Sequence, residues 1–236
     1  MSLRINTNVE AFNAHRQLAK NEGGMAKTME KLSSGSRINR AADDAAGLAI
    51  SEKLRGQIKG IAQAQRNVGD AISLVQTAEG GMDQVHGMLG LVRELAVQYG
   101  NGTLSTADKA SIQAEVTALG DDIERIGKNT EFNGIPLLSV AAGTITFQVG
   151  ARDGQTVSAA TISLGQQMVT GAFTLSGGGS DISEIDASIV NISSQRGTYG
   201  AVQNRLEYAA ADLATYQENL MAAESRIRDV DMAAEM

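Results

Sequence analysis

Apolar residues recur along most of this chain at alternating steps of three and four, the spacing that lines one face of an α-helix. The clearest run is Tyr199, Val202, Leu206, Ala209, Leu213, Tyr216, Leu220, Ala223, Ile227 and Val230. A stripe of this length and regularity is a seam for a partner helix rather than a cofactor site. Asp181 to Met236 is therefore expected to be helical, with no capping glycine or other stop signal before the last residue.

A second periodic segment opens near Asp43-Asp44, carboxylates suited to the unpaired amides of a helix N-terminus. Its stripe reads Ile58, Ile61, Gln65, Val68, Ile72, Val75, Glu79 and Met82, then Val85, Leu89, Val92 and Ala96 after a one-step change of phase. A helix from Asp44 to Gln98 would be roughly 80 Å long. Rods and filaments contain such helices far more often than globular domains do. Gly80, Gly81, Gly87 and Gly90 sit inside it, each costing about 1 kcal/mol relative to alanine. Close helix–helix approach is the expected reason, an adaptable segment the functional alternative.

Asn101-Gly102 ends this helix, and Ser105-Thr106-Ala107-Asp108 has the form of a capping box. Ile112, Val116, Leu119, Ile123 and Ile126 mark a third, shorter helix. Residues 130–180 change character. Ile145 to Val149 and Thr156 to Leu164 read as short strands around an Asp153-Gly154 turn, with Gly177 to Gly179 as a flexible return. At the other end, Ile5 to Leu32 is weakly amphipathic, interrupted by Gly23-Gly24 and followed by a loop at Ser33-Ser34-Gly35-Ser36. Alone it is a marginal helix that needs a partner. The expected fold is mainly α: a long antiparallel helical rod or coiled-coil bundle, termini at one end, with a short β-hairpin-containing insert. Residues 1–42 form an N-terminal helix and linker. Residues 43–180 form the first part of the rod, with the insert at about 140–180, and residues 181–236 form its C-terminal long helix.

Composition sharpens this picture. Only 3% of the 236 residues are aromatic, there is no Trp, and Pro136 is the one proline. Burial therefore falls to small and straight-chain apolar side chains, which favour helices. A net charge of −7 and scattered basic residues argue against nucleic acid. The absence of cysteine removes disulfides, thiolate metal sites and thiol nucleophiles together. No apolar run is long enough for a membrane span, and residues 1–6 lack the pattern of a cleaved secretory signal. If the protein leaves its cell, it uses a route that reads no such signal.

At Met29–Gly35 and Arg37–Ile50 the chain reads Met-Glu-Lys-Leu-Ser-Ser-Gly and Arg-Ile-Asn-Arg-Ala-Ala-Asp-Asp-Ala-Ala-Gly-Leu-Ala-Ile. These runs resemble the N-terminal signature of bacterial flagellins, and Ile72–Gly80 and Thr130–Gly134 extend the likeness. Gly200–Glu207 and Ala222–Met232 resemble the matching C-terminal signature, so that only about residues 139–180 lie outside it. The resemblance implies a filament subunit whose terminal segments form an inner tube and whose helical rod forms an outer one, with the large outer domains of many members missing. It also implies self-association with other flagellin subunits for motility, secretion through the flagellar type III export apparatus, and binding of export chaperones. Members of the family continue for some forty residues beyond the Asp229–Met232 signature, so a truncated C-terminus is expected and filament assembly by this chain is in doubt. Val202, Leu206, Leu213, Leu220 and Ile227 are the candidate self-association seam.

A further partner implied by the resemblance is a vertebrate Toll-like receptor that reads the second and third helices of the rod. Leu95 and Glu115 match contact positions of the family, whereas Leu91 stands where well-recognised members carry an arginine. Losing that charge and its donors is expected to weaken receptor binding without abolishing it. The plainer reading is that Leu91 faces a neighbouring helix or subunit.

No catalytic, cofactor or metal constellation is legible. His15 and His86 stand alone, and no zinc-protease, nucleophile-elbow or phosphate-loop pattern occurs. Asp121-Asp122 and Asp229/Asp231 lie near Arg125, Arg226 and Arg228, and are expected to form solvated ion pairs. The leading expectation is thus a structural protein, not an enzyme. A hook–filament junction protein and a secreted helical ligand recognised by an innate immune receptor are the alternatives.

Overall fold

A computed structural model describes residues 8–139, 143–162, 164, 174–175 and 181–236. The Gly177–Gly179 return lies outside the described residues. The fold is mainly α. The first helix, α1 (Val9–Ser34), starts where the Asn8 side chain accepts the Ala11 amide at 3.0 Å. It runs straight through Gly23-Gly24, which face open space, and past the expected loop at Ser33. It stops at Gly35, whose φ of 69° is the left-handed cap that glycine adopts without penalty.

The second helix, α2 (Ala45–Tyr99), is 55 residues long, or about 80 Å at ~1.5 Å per residue. Its first turn is capped by Asp44, whose Oδ1 accepts the Gly47 amide at 2.8 Å. The buried stripe runs Ile61, Ala64, Val68, Ala71, Val75, Ala78, Met82, Val85, Leu89, Val92 and Ala96. That is strict alternation of three and four with no change of phase. Gln65, Ile72 and Glu79, assigned to the seam from sequence, are only half-buried. The seam instead takes alanines at alternate positions, because a small side chain lets a neighbouring backbone approach. A reading weighted by side-chain size passes over them.

The third helix, α3 (Thr106–Asn129), carries both halves of the expected capping box at Ser105 and Asp108. Ile112, Val116, Gly120, Ile123 and Gly127 face its core, with Leu119 and Ile126 beside them. Two antiparallel hairpins follow. The first pairs β1 (Glu131–Phe132) with β2 (Ile135–Pro136) across Asn133 and Gly134, both at positive φ. That is the Asn-Gly turn of a tight hairpin, a signal present in the sequence and not read there. The second pairs β3 (Thr144–Gln148) with β4 (Thr156–Ala160). The β4 strand ends before the expected Leu164 because the chain changes partner. The amides of Ile162 and Leu164 donate to Leu137 O and Leu138 O at 3.2 and 3.0 Å.

The long C-terminal helix, α4 (Asp181–Arg228), ends eight residues before the expected limit, and α5 (Met232–Glu235) follows after a break. Two compact units result. One holds residues 1–60 and 215–236, the other residues 61–214. The core of the second is the α2 seam with Ile185, Ile192, Tyr199, Val202, Leu206 and Leu213 of α4 and the apolar face of α3. Two hydrogen bonds fix the β3–β4 hairpin within that unit. Asn67 Nδ2 donates to Gln148 O at 3.1 Å, and the Tyr199 hydroxyl donates to Ala160 O at 2.7 Å. Burial pushes the Tyr199 pKa up to about 12, so its proton stays on the hydroxyl that makes this bond.

Candidate functional site: terminal clasp and exposed helix faces

In the unit formed by both ends of the chain, the two signature stretches meet. Ser36 and Asp229 form an isolated antiparallel bridge. The Arg37 amide donates to Arg228 O at 2.6 Å and the Val230 amide to Gly35 O at 3.1 Å. The Arg37 guanidinium donates to Ile227 O at 2.8 Å, and Ile38 is buried beneath. This pairing explains the break after α4: Asp229 and Val230 give their backbone to residues 35–37 instead of to another helical turn. The expectation of one helix to Met236 is corrected by that exchange of partners.

Charged side chains surround the bridge. Glu52 accepts from Arg228 at 2.6 Å and Arg55 at 3.3 Å, Arg55 reaches Glu224 at 3.8 Å, and Lys31 pairs with Glu235 at 3.0 Å. The hydrogen bond from Arg228, then those charges with Arg55, hold the Glu52 carboxyl below its ordinary range. Asp229 and Asp231 do not pair with the neighbouring arginines as expected. Asp231 caps α5 through the amides of Ala233 and Ala234, and Arg228 turns to Glu52. Asp122 does pair with Arg125, at 2.8 Å in solvent. The clasp is thus a backbone bridge inside a ring of screened ion pairs, and it brings α1 and α5 side by side.

Beyond the clasp, α1 has no buried residue. Its Val9, Phe12, Leu18, Met25 and Met29 are all exposed, Phe12 at 71%. A helix with apolar residues and no buried side chain draws little from packing, which is where most helices obtain their stability. Exposed apolar area of this extent marks an interaction surface.

The remaining candidates separate cleanly. Val202, Leu206 and Leu213 are buried inside the chain, while Leu220 and Ile227 keep part of their surface outward. Tyr216, assigned to the same seam, is exposed. Leu91 is 52% exposed, so a neighbouring helix of its own chain does not account for it. Leu95 packs against a cluster of Val92, Ala96, Ile112, Val116, Leu175 and Ile185, whereas Glu115 on α3 is exposed. Val190 and Tyr208, both exposed on α4, were not singled out from sequence. Their separation of five helical turns places them on one face, the only signal that could have found them. Of the four α2 glycines expected at close helix–helix approaches, Gly81 alone is at a close contact, and there a Cβ would meet Thr130 and Leu138, which follow α3, instead of a helix; a Cβ on Gly80, Gly87 or Gly90 would meet nothing within 4 Å. Among the described residues no group of His, Cys, Asp and Glu could hold a metal ion, and no helix is long and apolar enough to cross a membrane.

The profile of the bacterial flagellin N-terminal helical region matches residues 5–142, and that of the C-terminal helical region matches residues 182–236. The chain is 48% identical over 241 residues to a flagellin of Halalkalibacterium halodurans, covering 98% of this chain and 88% of that one. It is 46% identical over 272 residues to a flagellin of Bacillus subtilis, covering 99% and 90%. A Treponema phagedenis flagellar filament core protein is 41% identical over 252 residues, covering 98% and 88%. Among solved structures, Bacillus cereus flagellin superposes with a TM-score of 0.58 at 29% identity, over 67% of this chain and 94% of that one. A flagellar hook-associated protein from Vibrio parahaemolyticus, at 16% identity and a TM-score of 0.66 over 79% and 100%, shares the fold.

Proposed function

This chain belongs to the bacterial flagellin family, and we propose that it enters the flagellar filament through the unpartnered face of α1, held in place by the clasp. It is a structural subunit of that filament, outside the cell, and it self-associates with other flagellin subunits. The observation that carries the choice of surface is that α1 displays Val9, Phe12, Leu18, Met25 and Met29 without burying one residue. Leu220 and Ile227, half-buried in the same unit, are the seam positions left partly open to a second subunit, whereas Val202, Leu206 and Leu213 act inside the chain by keeping the helical body rigid. On this reading residues 1–42 are the assembly arm, residues 43–180 and 181–236 the two halves of the body.

Sedimentation velocity with preformed flagellin seeds tests this. Phe12→Ser with Leu18→Ser is expected to leave the second unit folded and to abolish incorporation. Incorporation at the parent rate would place the assembly surface elsewhere. Type III export and chaperone binding are proposed on family likeness, and an export assay of chains with and without residues 1–42 decides the first.

Recognition by a flagellin-sensing Toll-like receptor is a second reading, favoured by the exposure of Leu91 and Glu115. The face is available, but Leu91 supplies no charge or donor. Leu91→Arg is expected to strengthen receptor binding by tenfold or more, about 1.4 kcal/mol. Unchanged affinity would remove Leu91 from the contact.

A further inference from the structure

Among the described residues, methionine is distributed unevenly. Met25, Met29, Met221, Met232 and Met236 are exposed, and all five lie in the unit built from the chain ends. In the other unit Met82 is fully buried in the α2 seam and Met88 is half-buried. Met25 and Met29 stand one helical turn apart on α1, at 68% and 63% exposure. With Leu18 before them and Leu32 after, at steps of seven, four and three, they form one stripe. Half of that stripe is thioether.

Sulfur makes the stripe chemically different from a run of leucines. A thioether is flexible and polarizable, and it fits irregular partners. It also reacts with two-electron oxidants such as peroxide. The sulfur lone pair attacks the peroxide oxygen, the O–O bond breaks, an S=O bond forms and water leaves. The thioether is oxidised by two electrons and the peroxide is reduced by two. The product is polar and chiral, and sulfoxide reductases reverse it. Access decides which sulfurs react, and no described side chain of α1 shields these two.

We propose that Met25 and Met29 are an oxidation-sensitive site that controls whether a free subunit can associate with further copies of this chain. The inference rests on the assembly reading of α1 given above. In the free subunit both thioethers meet solvent and oxidant. Once a second copy covers the stripe they are shielded, so oxidation acts before incorporation. A sulfoxide carried into that contact buries an unpaired polar oxygen, at a cost that slows incorporation about tenfold or more for each one. Met82 stays reduced because the α2 seam encloses it. Reductase restores the apolar stripe.

The test uses the whole chain with preformed flagellin seeds. Dilute hydrogen peroxide is applied, sulfoxides are located by peptide mass spectrometry, and seed extension is followed by light scattering. Met25 and Met29 are expected to oxidise well before Met82, with extension slowed at least tenfold and recovered after reductase. The double variant M25L/M29L keeps the apolar stripe at similar volume. It is expected to extend seeds at the parent rate before and after peroxide. Extension that survives full oxidation of both residues overturns the proposal. So does equal sensitivity of the leucine variant, which would assign the effect to another of the chain's nine methionines. Untreated protein that never extends seeds overturns instead the assembly reading on which the inference rests.

Discussion

Replacing Gly80, Gly81, Gly87 and Gly90 of α2 by alanine separates two contributions that the sequence alone cannot distinguish. Gly80, Gly87 and Gly90 are exposed, and an added Cβ at each meets nothing within 4 Å. Each substitution therefore removes only the conformational cost of glycine in a helix, about 0.8–1 kcal/mol. Gly80 and Gly87 lie roughly 10 Å apart along the axis, far enough to add, while Gly87 and Gly90 are only about 4.5 Å apart, so the triple variant should gain roughly 2–2.5 kcal/mol. Gly81 is different. Its Cβ would fall 2.9 Å from Leu138 Cδ1 and 3.1 Å from Thr130 Oγ1, and Leu138 is fully buried. Overpacking of this kind costs about 1–3 kcal/mol, which cancels or exceeds the helical gain. Urea unfolding of the monomer, followed by helical circular dichroism, measures both. The triple variant should raise the midpoint without changing the slope, and Gly81→Ala should leave it unchanged or lower it. A triple variant no more stable than the parent, or a Gly81→Ala as stabilising as the other three, would refute the reasoning. If these glycines keep α2 adaptable before assembly, the stabilised triple variant should also extend seeds more slowly.

Other expectations follow from single contacts. Tyr199→Phe removes the 2.7 Å bond to Ala160 O and should cost about 1 kcal/mol, with faster amide exchange in β4. Because the folded Tyr199 pKa is raised from 10 to about 12, its contribution is complete below pH 10 and is lost as pH climbs through 12; the phenylalanine variant should lack that loss. Ser105→Ala breaks the capping box and should cost about 0.5–2 kcal/mol, visible as faster exchange in the first turn of α3. Its partner Asp108 is held below 3.8 by hydrogen bonds from Ser105, so the box is intact above that value and weakens as pH falls through the lowered one. Glu52 is likewise lowered from 4.5, so its hold on Arg228 is present above that value and fails in acid. Exchange of the Arg37 and Val230 amides, corrected for intrinsic rates, should rise at low pH in the parent and rise less in Glu52→Gln, where Glu224 and Glu235 still titrate.

What the sequence determined by itself is what local periodicity and capping chemistry encode. Three-and-four spacing with few aromatics and one proline specified long helices, and Ser105 and Asp108 specified where one of them starts. Long motifs at both ends specified the family. The tertiary structure decided whatever depends on residues far apart in sequence. Alanine has no strong seam signature, so the true phase of α2 emerges only when a neighbouring helix selects Ala64, Ala71 and Ala78 for their small size. The end of α4 at Arg228 is unreadable locally, because the partner that takes its backbone is Gly35–Arg37, nearly two hundred residues away. The same holds for the candidate surfaces. Periodicity marks Val202 and Phe12 alike as apolar positions on a helix, and says nothing of what covers them. The folded chain buries Val202 against its own helices and leaves Phe12 in water. Burial is a property of pairs of elements, and only their assembly in space assigns it.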